Sequence, residues 1–171
     1  MKVLFVGRVQ LMKGVQYLLR AARKLGDFIE VRVVGSISCN VEKLMAAKPA
    51  NVEIIGPVPH VDVFQHFRWA DVFCLPSLCE GSATVTYEAL ASGLPVICTP
   101  NTGSVVRNGV DGFIVPIRDS DAIAEKLELL ARDRGLLAEM SHNARERARE
   151  YDWPHYGKHL VGAISRLLAG A

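Results

Sequence analysis

Glu80 and Glu88 are separated by seven residues, in a stretch that reads as a strand end, a small-residue loop and the start of a helix. Between them Gly81, Ser82 and Ala83 leave backbone amides uncovered where the helix begins. Helix starts carry unpaired N–H groups and partial positive charge, so this is an anion site suited to phosphate. The two carboxylates lie at most about 12 Å apart along a helix axis, a span comparable to a pyrophosphate joining two sugars. Carboxylates are poor partners for phosphate but good acceptors from hydroxyls, so each is expected beside the anion, holding a sugar or a ribose. Taken singly, each has an ordinary reading: Glu88 as a solvent-facing helix residue, Glu80 as a charge favoured by the helix dipole.

A second strand end, Phe5-Val6-Gly7, runs into Arg8-Val9-Gln10-Leu11-Met12-Lys13-Gly14 and another helix start. Two cations at the carboxyl end of a strand can neutralise a diphosphate, arginine through forked hydrogen bonds and lysine as a mobile point charge. On departure of a leaving group they would stabilise the charge left behind. Either cation alone is most simply a surface residue; the pairing of this loop with the glutamate stretch favours function. Gly35-Ser36 and Gly56-Pro57-Val58-Pro59 also follow strands, where exposed backbone can pair with a nucleobase edge, although a plain turn is the simpler reading. Gly103-Ser104 and Gly109-Val110-Asp111-Gly112 mark further turns, with Gly103 a place where a ligand could approach the backbone.

Several classes are disfavoured. No G-x-G-x-x-G follows the first strand and no G-x-x-x-x-G-K-[ST] occurs, against a dinucleotide dehydrogenase and a P-loop. The histidines His60, His66, His142, His155 and His159 have no metal-site spacing, so no metal is expected. A net charge of +2 without a basic run gives nucleic acid no support. Cys39, Cys74, Cys79 and Cys98 lack CxxC spacing, and three of them sit in or beside apolar runs, pointing to a reducing, cytosolic setting without zinc. No apolar run approaches the roughly 20 residues that span a bilayer. Met1 to Val6 is too short for a signal peptide and soon meets Arg8 and Lys13, so it reads as a first strand.

These residues must be positioned by an alternating chain. Apolar runs Val3–Val6, Val31–Val34, Val52–Ile55, Val72–Leu75, Pro95–Cys98 and Phe113–Val115 read as buried strands, too continuous for a half-exposed sheet. Between them Val15–Leu25, Val41–Ala47, Val61–Trp69 and Thr84–Ser92 carry helical spacing. Such alternation predicts an α/β fold: parallel strands, right-handed crossovers, and an open sheet with helices on both faces and ligands at the carboxyl strand ends. After Val115, Ser120–Ala131, Arg134–Arg149 and about Pro154–Leu168 read as a helical tail, the first capped by Asp119 or Ser120 and the last the most detachable piece. The 171 residues fit one domain.

Val6-Gly7-Arg8 with Lys13-Gly14, Ala70-Asp71-Val72-Phe73 with Leu75-Pro76-Ser77, Glu80-Gly81, Glu88-Ala89, Ser92-Gly93-Leu94-Pro95 and Asn108-Gly109-Val110-Asp111-Gly112 together resemble the retaining glycosyltransferases of family 4, the glycosyl transferases group 1. The match runs through nearly the whole chain in the family's order. That resemblance implies a GT-B fold of two Rossmann-like domains facing across a cleft, of which this chain corresponds to the C-terminal, nucleotide-sugar (donor) domain over 1–171. The N-terminal acceptor domain would be absent, and this chain alone would bind donor but hardly transfer. Arg8 and Lys13 would hold the donor diphosphate; Glu80 and the amides of Ser82, Ala83 and Thr84, next to Gly81, the transferred sugar and phosphate; and Glu88 the ribose. Gly7 would be a further donor-binding position, and the base would lie near Val58. Transfer would proceed with retention and without a metal or other cofactor, to a glycan or lipid acceptor. The full enzyme would be cytoplasmic, with peripheral association at the inner face of the membrane compatible with that role.

Ser82-Ala83 replaces a frequent Phe-Gly of the family, and Ser104 stands where many members have glutamate. Both departures bear on which sugar is taken. Two other classes stay open at this level: a non-catalytic nucleotide-sugar-binding protein of the same fold, and another enzyme of that fold such as a sugar-nucleotide epimerase or a phosphorylase.

Overall fold

The structure, a computed structural model, describes residues 1–39 and 41–169, and of Trp153 only the backbone. Among the described residues six strands form one sheet: β1 (Lys2–Val6), β2 (Glu30–Val34), β3 (Val52–Gly56), β4 (Val72–Leu75), β5 (Val96–Cys98) and β6 (Gly112–Ile114). Their spatial order is β3-β2-β1-β4-β5-β6, and every neighbouring pair is parallel. The central strands read as unbroken apolar runs because helices cover both faces: Val3, Leu4, Phe5 and the whole of Val72–Leu75 are fully buried.

Helices α1 (Val15–Leu25), α2 (Glu42–Ala46), α3 (His60–Trp69), α4 (Thr84–Ala91), α5 (Ser120–Arg132), α6 (Arg134–Arg149) and α7 (Trp153–Ala169) connect and follow the strands. α1 packs on α5 and α4 packs on α6. α1 owes its place to Val15, Leu18, Leu19, Ala22 and Leu25, which recur at helical spacing and are all buried. Asp119 provides the cap of α5, its Oδ1 accepting from the Asp121 and Ala122 amides at 3.0 and 2.8 Å.

The chain moves outward from β1 through β2 to β3, then returns to lay β4 on the other side of β1. The direction of strand order therefore reverses between β1 and β4, and the loops that leave their carboxyl ends diverge around a crevice. Asp71 closes the opposite end of the same pair: its Oδ2 accepts from the Lys2 amide at 2.8 Å, its own amide donates to the Lys2 carbonyl at 2.9 Å, and Arg134 of α6 pairs with it at 3.5 Å.

The expected strands and helices all occur, with boundaries differing by one residue or so. The sequence reading omits three 3₁₀ turns, Leu11–Lys13, Gly26–Phe28 and Pro100–Thr102, which are too short to leave a periodic pattern. The core ends with Ala144 of α6, while α7 leaves Val161, Leu167 and Leu168 exposed. Among the described residues no helix is long and apolar enough to cross a membrane.

Candidate functional site

The loops after β1 and β4 meet over the crevice. The 3₁₀ turn Leu11–Lys13 ends at Gly14, whose φ of 73° is left-handed. A side chain there would strike the Pro76 carbonyl, since a Cβ would lie 1.8 Å from its oxygen, so glycine is required twice over. The Leu78 amide donates to the Met12 carbonyl at 2.8 Å, stapling the two loops together. In consequence Lys13 Nζ pairs directly with Glu80 Oε1, both side chains mostly covered. Ser77, fully buried, donates from Oγ to the same Glu80 oxygen at 3.4 Å, which leaves Oε2 of Glu80 without a hydrogen-bond partner among the described residues.

The β4 loop is also fixed from below by the turn after β5. Thr99 Oγ1 donates to the Ser77 carbonyl, Thr102 Oγ1 donates to the Leu75 carbonyl at 3.1 Å, and Asn101 Nδ2 donates to the Leu78 carbonyl at 2.9 Å. Thr99 and Thr102 form a capping box on their own turn. Gly103 then passes so close to the loop that a Cβ would lie 2.3 Å from the Gly81 carbonyl oxygen. Its role is the approach of two backbones to each other.

α4 begins at Thr84 with Ala83 as its cap residue, and among the described residues no side chain caps it. Its first-turn N–H groups therefore face the crevice with the positive end of the helix dipole. Of the three amides expected to serve a ligand, that of Ala83 donates to the Thr102 carbonyl at 3.3 Å and is already engaged, leaving Ser82 and Thr84. Glu88 stands one turn into α4, where its Oε1 lies 3.6 Å from Nε2 of His60, the first residue of α3.

These groups share a groove of about 420 Å³ whose polar walls are Lys13, Glu80, Ser82, Thr84, Glu88 and His60, closed by Gly7, Ala83 and the apolar Val6, Val63 and Val85. One end carries the Lys13–Glu80 pair, the other Glu88 and His60. Arg8, Gly81 and Val58 do not line it. Arg8 is exposed on the same loop as Lys13, with no ion pair among the described residues; Gly81 is exposed on the rim; Val58 is half-buried against the core. A larger cavity of about 610 Å³ lies between α1 and α5, but Asp119, Asp121, Glu125 and Glu128 in its walls would repel an anion.

Beneath the site, burial pushes the Cys98 thiol up to about 12 and raises that of Cys74 as well. Cys79, beside Glu80, is exposed. On α3, burial and the charge of Arg32 lower the His66 imidazole pKa, and this histidine lies outside the groove. Among the described residues no cluster of three or more His, Cys, Asp or Glu side chains could hold a metal ion.

Residues 1–150 match the family described as glycosyl transferases group 1. The chain belongs to that family. It is 34% identical over 153 residues to the capsular polysaccharide biosynthesis glycosyltransferase CapM of Staphylococcus aureus, covering 84% of this chain and 40% of CapM. Among solved structures it resembles Anabaena HepE in complex with UDP, with a TM-score of 0.86, 21% identity, and coverage of 96% of this chain and 48% of HepE. The C-terminal domain of the group 1 protein LpcC from Francisella tularensis is similar at a TM-score of 0.76 and 22% identity, with 85% of this chain and 82% of that domain covered. The fold is thus that of GT-B glycosyltransferases, and the chain spans about 40% of the length of CapM.

Sequence reasoning assigned no role to His60, Ser77, Thr99, Asn101 or Thr102. The threonines carried a signal, Thr99-Pro100-Asn101-Thr102 being a capping-box pattern, but their bonds into the β4 loop depend on the β4–β5 pairing. Two motif residues prove to hold structure: Asp111 is fully buried and accepts from both the Arg107 amide (2.7 Å) and Nε (2.6 Å), and Asn108 accepts from the Ile114 amide at 2.9 Å.

Proposed function

We propose that this chain is the donor-binding domain of a retaining glycosyltransferase that moves a sugar from a nucleoside-diphosphate sugar to a glycan or lipid acceptor. The observation that carries the reading is the polarity of the groove: uncapped amides at the start of α4, flanked by the Lys13–Glu80 pair at one end and Glu88 at the other. A diphosphate lies on the α4 amides beside Lys13, with Arg8 reaching in from the rim. Glu88 accepts from ribose hydroxyls, and Oε2 of Glu80 accepts from hydroxyls of the sugar. Lys13, released from Glu80 in part by the ligand, stabilises the charge that develops on the departing diphosphate, so no metal is called for. HepE, similar in fold, is described in complex with UDP, and CapM is named for capsular polysaccharide synthesis; both agree with this assignment.

Transfer is assigned to the whole enzyme, with an acceptor domain that supplies the other wall of the cleft. Four free thiols, two of them exposed, favour a reducing, cytoplasmic setting.

The experiment is calorimetric titration of this chain with UDP, GDP and ADP in EDTA, then with sugar conjugates of the nucleotide that binds. Selective, EDTA-resistant binding is expected. Absence of binding to any nucleotide overturns the donor-site assignment. Retention is checked by the anomeric configuration of the product once the chain is joined to an acceptor domain.

A further inference from the structure

His60 projects from the first turn of α3 at the mouth of the groove, 87% exposed, with Nε2 3.6 Å from Glu88 Oε1. It lines the donor groove and also an adjoining niche of about 260 Å³ whose other walls, apart from Glu88 and Ser92, are Val63, Phe64, Phe67 and Ala91. Glu88 is therefore the charge that faces the imidazole most directly. The remaining ionisable groups of the groove, Lys13 and Glu80, are paired with each other, and α3 itself contributes Asp62 two positions on. At 3.6 Å the contact is too long for a good hydrogen bond, so it is chiefly an attraction of charges, present while the imidazole holds its second proton. A cation in the first turn of a helix is opposed by the helix dipole, so the stability of α3 gives no reason for this placement.

We propose that His60 is a positioning residue of the nucleotide site, pairing with Oε1 of Glu88 so that Oε2 stays available to the ribose hydroxyls. When protonated it also cancels the carboxylate charge that would otherwise repel the diphosphate. The inference rests on the donor-site reading given above. Both effects have one sign: protonation of His60 favours diphosphate binding, so affinity rises as the imidazole gains its second proton. By reciprocity the bound diphosphate holds the proton on His60.

The test compares wild type with His60→Gln, titrated at pH 8, 7 and 6 with UDP-glucose, GDP-mannose and ADP-glucose. The diester phosphates of these probes do not titrate over that range. For the probe that binds best, wild type is expected to gain about three- to fivefold in affinity between pH 8 and pH 6, the scale of an exposed charge pair, and His60→Gln to lose most of that gain. The wild-type ring resonance absent from His60→Gln should titrate at higher pH with the probe bound than without it. An equal gain in both proteins, or an unmoved ring titration, overturns the role of His60 while the donor site stands. No binding of any probe to wild type at any pH overturns the donor site and this role together.

Discussion

Glu80 is held from two sides through one oxygen, by Lys13 and by Ser77, and so presents its other oxygen to the groove with little freedom. Replacing it with glutamine keeps the shape and removes the charge. We expect Glu80→Gln to weaken a nucleotide sugar by about tenfold while leaving the bare nucleotide within about twofold, because hydrogen bonds to a charged acceptor count for roughly 1.5–3 kcal/mol and only the sugar uses this one. Glu88→Ala should weaken nucleotide and nucleotide sugar alike, by about tenfold, since both carry the ribose. Calorimetry on the same ligand pair separates the two; equal affinities for both variants and wild type would remove both carboxylates from the site. The glutamates and Lys13 were legible in the sequence because their chemistry is stated by residue type next to a strand end. His60 was not, because its partner lies on a helix reached only through the packing of α3 beside α4.

Elements set the precision with which those residues meet. The Gly14 backbone is left-handed and lies against the Pro76 carbonyl, so Gly14→Ala brings both a strained φ and a collision of backbone with Cβ. We expect a loss of about 2–4 kcal/mol in urea unfolding together with weakened nucleotide binding, as Lys13 is displaced from Glu80. At a distance from the groove, Asp119→Ala should remove about 1 kcal/mol by uncapping α5 and leave binding unchanged, which urea unfolding and calorimetry check together. Strands and helices were legible from runs and periodicity alone. The 3₁₀ turns and the Thr99–Thr102 lattice under the β4 loop were not, since their hydrogen bonds join segments that become neighbours only through the sheet.

At the scale of the whole molecule the buried thiols give the fold an alkaline limit. Cys98 titrates at about 12 in the folded state against an ordinary 9.0, so the unfolded chain binds fewer protons between those values and stability falls as pH rises through that window. Cys74, raised in the same direction, adds to the slope. The stability these thiols contribute is fully present below about pH 8.5. Urea midpoints at pH 8 and pH 10 should drop in wild type and drop less in Cys98→Val. The same burial predicts that a thiol reagent at neutral pH modifies Cys39 and Cys79 quickly and Cys74 and Cys98 only on unfolding.

The reversal of strand order also decides when binding competence arrives during folding. β1 and β4 are joined across a long stretch of chain, with Lys2 and the Asp71 that clasps it 69 residues apart. Local contacts can build β1-α1-β2 early, but Lys13 has no Glu80 beside it until the last-recruited half of the sheet docks, and such non-local pairings carry the loop-closure cost that slows folding. Ligand capture in a refolding experiment would then lag behind helix formation. A substitution at the β1–β4 seam would present as a slow-maturing domain whose fold and groove, once reached, are intact.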